Sequence, residues 1–371
     1  MSRIVLAMSG GVDSSVAAHL LRAAGHDVVG VFMRHGEAAP TTCASTSHEQ
    51  GLLPIVSLAA ASTHGCCTAA DAADARRVAD ALDIPFYALD FQEDFRQIID
   101  YFVAEYSAAR TPNPCVVCNN WIKFGRLFDY ADSVGAQYVA TGHYARLSAA
   151  HGSATPVLAR GIDHGKDQSY VLFGIARERL SRMMLPVGEY RKPEIRRLAR
   201  ELGLNVADKR DSQEICFVTD GDHAGFVRSR RGAASTAGEI VTSDGRVVGT
   251  HDGLERFTVG QRKGLGIALG EPHFVVRLES ETRRVVLGSK EDLLRRELTA
   301  KDTNWLVDVP DRPRNCTVKI RYNATPVEAR VAALPGNRLH VVFDEPQHAV
   351  APGQAVVCYD GEQVLGGGWI E

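Results

Sequence analysis

The sequence predicts an α/β protein: an N-terminal doubly wound parallel sheet of the adenine nucleotide alpha-hydrolase kind, a small β-rich central domain, and a C-terminal β-barrel. Three observations carry this. The apolar run at residues 4–8 is followed by SGGVDSS and then by a helical pattern, which is strand, glycine-rich turn, helix. Helix and strand patterns then alternate as far as about Asp211. Beyond it glycines become frequent, helical runs nearly vanish, and short alternating segments with turn residues take over. At 371 residues the chain exceeds what one hydrophobic core usually serves. The expected domains are 1–210, 211–290 and 291–371.

Val16, Leu20 and Leu21 recur at helical spacing before Gly25, and DVVGVFM reads as a second strand. Residues 35–65 are rich in Ala, Ser and Thr and hold Pro40, Gly51 and Pro54; a loop of this length is uncommon in a compact domain and tends to be functional or mobile. The alternation resumes with AADAADARRVADALD as a helix, IPFYALDF as a strand and EDFRQIIDYFVAEYSAA as an amphipathic helix. WIKFGRLFDYADSVG reads as another helix and AQYVATGHYARL as a single strand. KPEIRRLARELGL has proline at a helix start and glycine near its end. GEIVTSDGRVVG, RFTVGQRKGLGI, HFVVRLES and RRVVLGS read as central strands. CTVKIRY, VEARVAAL, RLHVVFDE and QAVVCYDGEQVLGGGWI read as barrel strands.

Composition narrows the function classes. Hydrophobic content of 45% and charged content of 23% are ordinary for a soluble globular chain. No apolar run approaches the roughly 20 residues of a membrane helix, and the N-terminus reads as a buried strand, not a signal peptide. A cytoplasmic protein with reduced thiols and no membrane partner is expected. The net charge of -3 does not advertise a nucleic-acid partner globally, so such a site needs a local basic patch.

SGGVDSS sits where strand meets helix. Small residues let backbone N–H groups approach a polyphosphate, and the helix N-terminus adds partial positive charge. The hydroxyls of Ser9, Ser14 and Ser15 can donate, and Asp13 can hold a magnesium ion on the phosphates. The pattern lacks the lysine of a Walker loop and the glycine spacing of a dinucleotide fingerprint. It resembles the pyrophosphate-binding loop of ATP pyrophosphatases, which cleave ATP between the α and β phosphates and adenylate an oxygen.

The stretch RTPNPCVVCNN holds Cys115 and Cys118. Alone, this spacing suits half a zinc site, a redox disulfide, a cluster ligand pair or a reactive thiol with a neighbour. Cys216, in KRDSQEICFVTDG, alone reads as a packed cysteine. Taken with TGHYAR, GKDQSYVLF, TVGQRKGLGI and LGGGWIE, in order from first strand to last residue, the chain resembles the bacterial tRNA-uridine 2-sulfurtransferase (2-thiouridylase) family.

The resemblance implies that ATP adenylates O2 of wobble uridine 34 in tRNAs for Lys, Glu and Gln, and that persulfide sulfur replaces the activated oxygen. Cys216 matches the persulfide carrier and Cys118 the nucleophile that ends in a disulfide with it. A thiolate is a far better nucleophile than water near neutral pH. Ala7, Met8, Ser9, Gly10, Gly11, Val12, Asp13, Ser14, Met33 and Gly142 match the ATP site. Asn113, Pro114 and Cys115 match the segment beside the target base. Lys166, Asp167, Gln168, His143, Arg321, Tyr322 and Gln354 match tRNA contacts. A sulfur donor, such as a cysteine desulfurase or a sulfur-relay protein, is an implied partner.

Many family members carry Asp, credited with acid–base work, where this chain has Cys115. An unperturbed thiol near pKa 8.5 is a poor substitute. Cys115, Cys118 and Cys216 also number enough to hold a [4Fe–4S] cluster with one iron open, so persulfide and cluster routes both stand here. Zinc would need a fourth ligand.

Blander readings apply elsewhere. His143 suits a structural histidine, and Arg321 and Tyr322 an alternating surface strand. Arg196, Arg197 and Arg200 suit a solvated face or phosphate contacts. Cys43, Cys66, Cys67, Cys316 and Cys358 read as structural. The segment 260–266, with Gln261, Arg262 and Lys263, reads as a flexible basic link. A small-molecule adenylating synthetase would explain SGGVDSS but not the thiols, and a non-catalytic RNA-binding module would explain neither thiol pairing nor turnover.

Overall fold

The computed structural model describes residues 1–34, 68–149, 155–211, 215–218, 221–232, 235–267 and 269–371. The expectations for the 35–65 loop and for Cys43, Cys66 and Cys67 lie outside the described residues.

The first unit runs β1 (Arg3–Ala7), α1 (Val12–Ala23), β2 (Asp27–Arg34), α2 (Ala69–Ala81), β3 (Phe86–Asp90) and α3 (Gln92–Ser107). It continues through α4 (Pro114–Cys118), a π-helical stretch (Asn119–Arg126), α5 (Leu127–Ser133), β4 (Tyr138–Ala140), β5 (Ala145–Ser148), β6 (Val157–Arg160), β7 (Met183–Met184) and α6 (Lys192–Glu201). Five strands form a parallel sheet in the order β3-β2-β1-β4-β7. β1 is central, which explains its unbroken apolar run: Val5 and Ala7 face one core, Ile4 and Leu6 the other.

Two sequence expectations fail here. AQYVATGHYARL is two strands, not one: β4 joins the parallel sheet, the chain turns at 141–144, and β5 pairs antiparallel with β6. The helix expected from Trp121 on begins as a π-helix, with Ile122 and Phe124 buried, before α5 takes over at Leu127.

After Asp211 comes α7 (His223–Arg231), a helix missed in the sequence because HAGFVRSRR is short and interrupted by Gly225. The central sheet follows: β8 (Gly238–Thr242), β9 (Val247–His251), β10 (Phe274–Glu279) and β11 (Arg284–Gly288), in the order β10-β11-β8-β9. RFTVGQRKGLGI is not a strand. Gly260, Gly264 and Gly266 all take positive φ, which bends the chain out of extension, although Gly260 and Gln261 still exchange backbone hydrogen bonds with Val275.

The barrel comprises β12 (Leu294–Trp305), β13 (Arg314–Lys319), β14 (Val327–Leu334), β15 (Arg338–His348), β16 (Ala355–Asp360) and β17 (Gln363–Ile370). Six strands close because β12 pairs with both β15 and β17. Sequence reasoning missed β12, whose LRRELTAKDTNW lacks clean alternation. The β5–β6 hairpin extends this same sheet through Ala159 and Gln363. One hydrophobic core is shared by the parallel sheet and the barrel: Phe124, Leu127 and Tyr170 pack with Ala355, Val357 and Tyr359. No helix among the described residues is long and apolar enough to cross a membrane.

Candidate active site

The sheet order reverses direction between β1 and β4, the position where open α/β sheets bind ligands beyond the carboxyl ends of their strands. β1 leads there into residues 8–14, and β4 into Thr141–His143. Gly10 takes φ +73°, and a Cβ on it would lie 2.2 Å from the Asp71 carbonyl oxygen. Gly142 packs as tightly on the other side: a Cβ there would sit 2.8 Å from the Ser14 nitrogen. Glycine at both positions lets backbone close on backbone.

Ala7, Met8 and Val12 are buried, and Met33 lies half-buried at the end of β2. The hydroxyls of Ser14 and Ser15 donate to the Gly11 carbonyl at 3.1 and 2.8 Å, so they shape the loop. Ser9 is exposed, and its N–H donates to Ser14 Oγ at 3.2 Å.

Asp13 is the end of a charged chain that sequence reasoning missed. Lys192 Nζ donates to Asp13 Oδ2 at 2.7 Å and sits 2.8 Å from Asp211 Oδ1. The Tyr144 hydroxyl donates to Asp13 at 2.6 Å. Lys166 and Arg196 complete three cations around Asp211. Burial works to raise the Asp211 carboxyl, but hydrogen bonds from Lys166 and Lys192 outweigh it and hold it below the usual range. The one signal in the sequence was Lys192 itself, a cation in the first turn of α6, where the helix dipole disfavours it. Lys209 braces the loop from outside, donating to the Gly10 carbonyl at 3.0 Å and to Asp71 and Asp74 at 2.7 and 2.6 Å.

The other expected positions fall into two groups. Gln168 Oε1 accepts from the Tyr144 N–H at 3.0 Å, which ties it to the turn after β4. Asp167 is buried, accepting from the Gly161 and Ser169 backbones and the Ser169 hydroxyl. His143 is buried, paired through Nδ1 with Thr141 at 2.7 Å and set against Phe124. Burial, then the charge of Lys123, pushes its pKa well below the ordinary value, so the ring is neutral. Arg197 and Arg200 pair with Glu201 and Asp208.

The second group gathers around the thiols. Asn113 caps α4, its side chain accepting from the Val116 N–H at 3.3 Å, with Pro114 at the first helical position. Cys115 is exposed, while Cys118 and Cys216 are half-buried against one apolar cluster that includes Phe95, Ile99 and Val117. That cluster joins residues about a hundred positions apart in the chain. Arg321 and Tyr322 lie in the turn after β13, not in a strand; Tyr322 meets Tyr170 edge-on at 6.0 Å. Burial raises the Tyr322 hydroxyl to about 12, with the charges of Asp167 and Cys115 adding to the effect. Gln354 of the barrel donates to the carbonyls of Thr111 and Pro112 at 3.0 and 3.3 Å. Thr111 N–H donates in return to the Pro352 carbonyl at 2.8 Å. Cys316 and Cys358 are buried in the barrel core. Among the described residues, no three His, Cys, Asp or Glu side chains are grouped to hold a single metal ion.

Comparison with known proteins adds what geometry cannot. Residues 2–220 match the tRNA methyl transferase HUP domain model, 224–289 its PRC-barrel domain, and 295–370 the aminomethyltransferase beta-barrel domain. A tRNA-specific 2-thiouridylase MnmA of Rhodopirellula baltica is 60% identical over all of this chain and 96% of its own. Namesakes from Solibacter usitatus (48%, covering 99% of each chain) and Geobacter metallireducens (47%, covering 100% and 96%) are similar throughout. Among solved structures, an NMN synthetase from Francisella tularensis aligns over 56% of this chain and 65% of its own. Its 15% identity and TM-score of 0.31 are too weak to bear on function.

Proposed function

Because this chain belongs to the tRNA-specific 2-thiouridylase family, whose members match it from end to end, we propose that it uses ATP to convert wobble uridine 34 of tRNAs for Lys, Glu and Gln to 2-thiouridine. The observation that carries the reading is the pairing of two features in one fold: a glycine loop at the switch point of a parallel sheet, and Cys118 and Cys216 on one apolar cluster nearby.

The chemistry follows from those residues. The backbone of 9–14 cradles the ATP phosphates, and the main chain at Met33 receives the adenine. A magnesium ion would neutralise phosphate charge there, since magnesium takes one or two carboxylates beside substrate phosphates; the Asp13 carboxylate is held by Lys192 and Tyr144 and would have to exchange those partners to join it. Uridine O2 attacks the α-phosphorus and pyrophosphate leaves, which turns a poor leaving group into AMP. The terminal sulfur of a Cys216 persulfide then attacks C2, and AMP departs with its bonding pair. Cys118 thiolate next attacks the Cys216 sulfur. The S–S bond to the transferred sulfur breaks, that sulfur stays on the base as the thiocarbonyl, and a Cys118–Cys216 disulfide remains. A dithiol reductant and a sulfur-donor protein must restore the persulfide for the next turn.

Neutral, buried His143 and the turn after β4 support the loop, and Arg321, Tyr322 and Lys166 offer the RNA polar contacts. The test is pyrophosphate release with purified protein and transcribed tRNA. Release should require tRNA and vanish when the wobble uridine is replaced by cytidine. Equal release without RNA, or release driven by an amino acid, would overturn the proposal.

A further inference from the structure

From Pro114 to Arg126 the backbone is helical without a break, first α and then π. Its inner side is buried at Val116, Val117, Asn119 and Ile122. Its open side presents three residues at intervals of three: Cys115, exposed; Cys118, half-buried; and Trp121, 47% exposed. Among the described residues, Trp121 is one of the few large apolar side chains left in water. It is held in place, meeting Tyr101 edge-on at 6.5 Å, and Tyr101 in turn leans on Trp369 of the barrel at 6.1 Å. A lone surface tryptophan needs no explanation. A braced one less than a helical turn from a thiol does.

Trp121 follows Cys118 by three residues on the same helical segment, so ring and thiol are less than one turn apart. A uridine brought to the thiols must leave its stack, and its neighbour then lacks a partner for one face.

We propose that Trp121 is the stacking platform for the base adjacent to the reacting uridine, a substrate-positioning site on the open side of the thiol-bearing helix. The inference rests on the tRNA-thiolating reading above. An aromatic plate accepts any base, because every base has a π-face. Trp121 thus fixes the register of the RNA on the thiols without reading its sequence. The competing occupant, a sulfur-donor protein, would contact the same face without depending on a neighbouring base.

The experiment uses full-length protein and an anticodon stem-loop RNA, with W121A and W121F. W121A should weaken RNA binding about 5- to 150-fold, or ~1–3 kcal/mol, with W121F between it and the wild type. ATP affinity, read with a non-hydrolysable analogue, should not move in either variant. The second arm places an abasic nucleotide on each side of the uridine in turn. At one of the two positions the wild type should lose affinity by a similar factor, while W121A should lose no more. Unchanged RNA binding by W121A would overturn the proposal, as would additive losses at both positions. So would normal RNA binding with slower sulfur loading from the donor, which would assign the ring to the donor instead. A wild-type protein whose pyrophosphate release ignores RNA would defeat the functional reading itself, and the two failures are distinguishable.

Discussion

Gln354 in the barrel and Thr111 before the cysteine helix are 243 positions apart in sequence, yet a side-chain amide of one donates to the backbone carbonyl of the other at 3.0 Å. A second bond from the same nitrogen reaches Pro112. The barrel therefore clamps the segment that enters α4, and Asn113 then fixes the start of the helix that carries Cys115 and Cys118.

Removing that clamp should cost placement more than stability. Gln354→Ala loses bonds worth about 1 kcal/mol each, a small dent in denaturant midpoint. Thiol misplacement should lower kcat for thiolation roughly 10-fold or more, with ATP affinity unchanged. Single-turnover kinetics beside an ATP-analogue titration would separate the two. A proportional loss of ATP binding would refute the clamp.

The glycine loop makes a steric prediction. Gly142→Ala forces a Cβ within 2.8 Å of the Ser14 nitrogen, and Gly10→Ala adds a left-handed backbone to a 2.2 Å clash with Asp71. Both should weaken ATP binding more than about 10-fold, Gly10→Ala the more severely, because backbone must move in each case. Calorimetric titration of the nucleotide analogue measures this directly.

Lys192 joins Asp13 to Asp211, so Lys192→Met leaves two carboxylates short of a cation. Stability should fall by about 2–3 kcal/mol in urea unfolding, the usual cost of losing charge-assisted hydrogen bonds. The pH dependence has a definite sign. The Asp211 carboxyl is held below its unfolded value, so its contribution is fully present above roughly pH 4 and is lost as pH falls through the folded pKa. Asp211→Asn should flatten that acid limb of the stability curve.

The thiols separate the two sulfur routes. In the persulfide route, Cys118→Ser and Cys216→Ser abolish thiolation while tRNA-dependent pyrophosphate release continues, and Cys115→Ser retains substantial activity. Iron and sulfide analysis of anaerobically purified protein provides the cross-check. Stoichiometric iron lost in Cys115→Ser together with activity would favour the cluster route.

Much of this site is local chemistry, and local chemistry is readable. SGGVDSS announces its loop because small residues, a cap and a preceding buried strand are contiguous. Cys118 stands out by its motif. The charged chain through Lys192 and Asp211 is not readable that way, since its members come from distant segments that meet only after folding. The split of AQYVATGHYARL was hidden for a different reason: apolar residues resume at Tyr144 and Ala145 after only Thr141, Gly142 and His143, an interruption too short to mark the end of one strand and the start of another.

The β5–β6 hairpin has a consequence in time. Ala159 pairs with Gln363, 204 residues later (363 minus 159). At about 5–20 residues per second of synthesis, the hairpin waits roughly 10–40 s on the ribosome before its neighbour strand exists. During that interval its edge is an open template for the wrong strand, and such a long-range pairing is slow to find. The nascent chain, more than the finished enzyme, should be the stage at which this protein needs protection from aggregation.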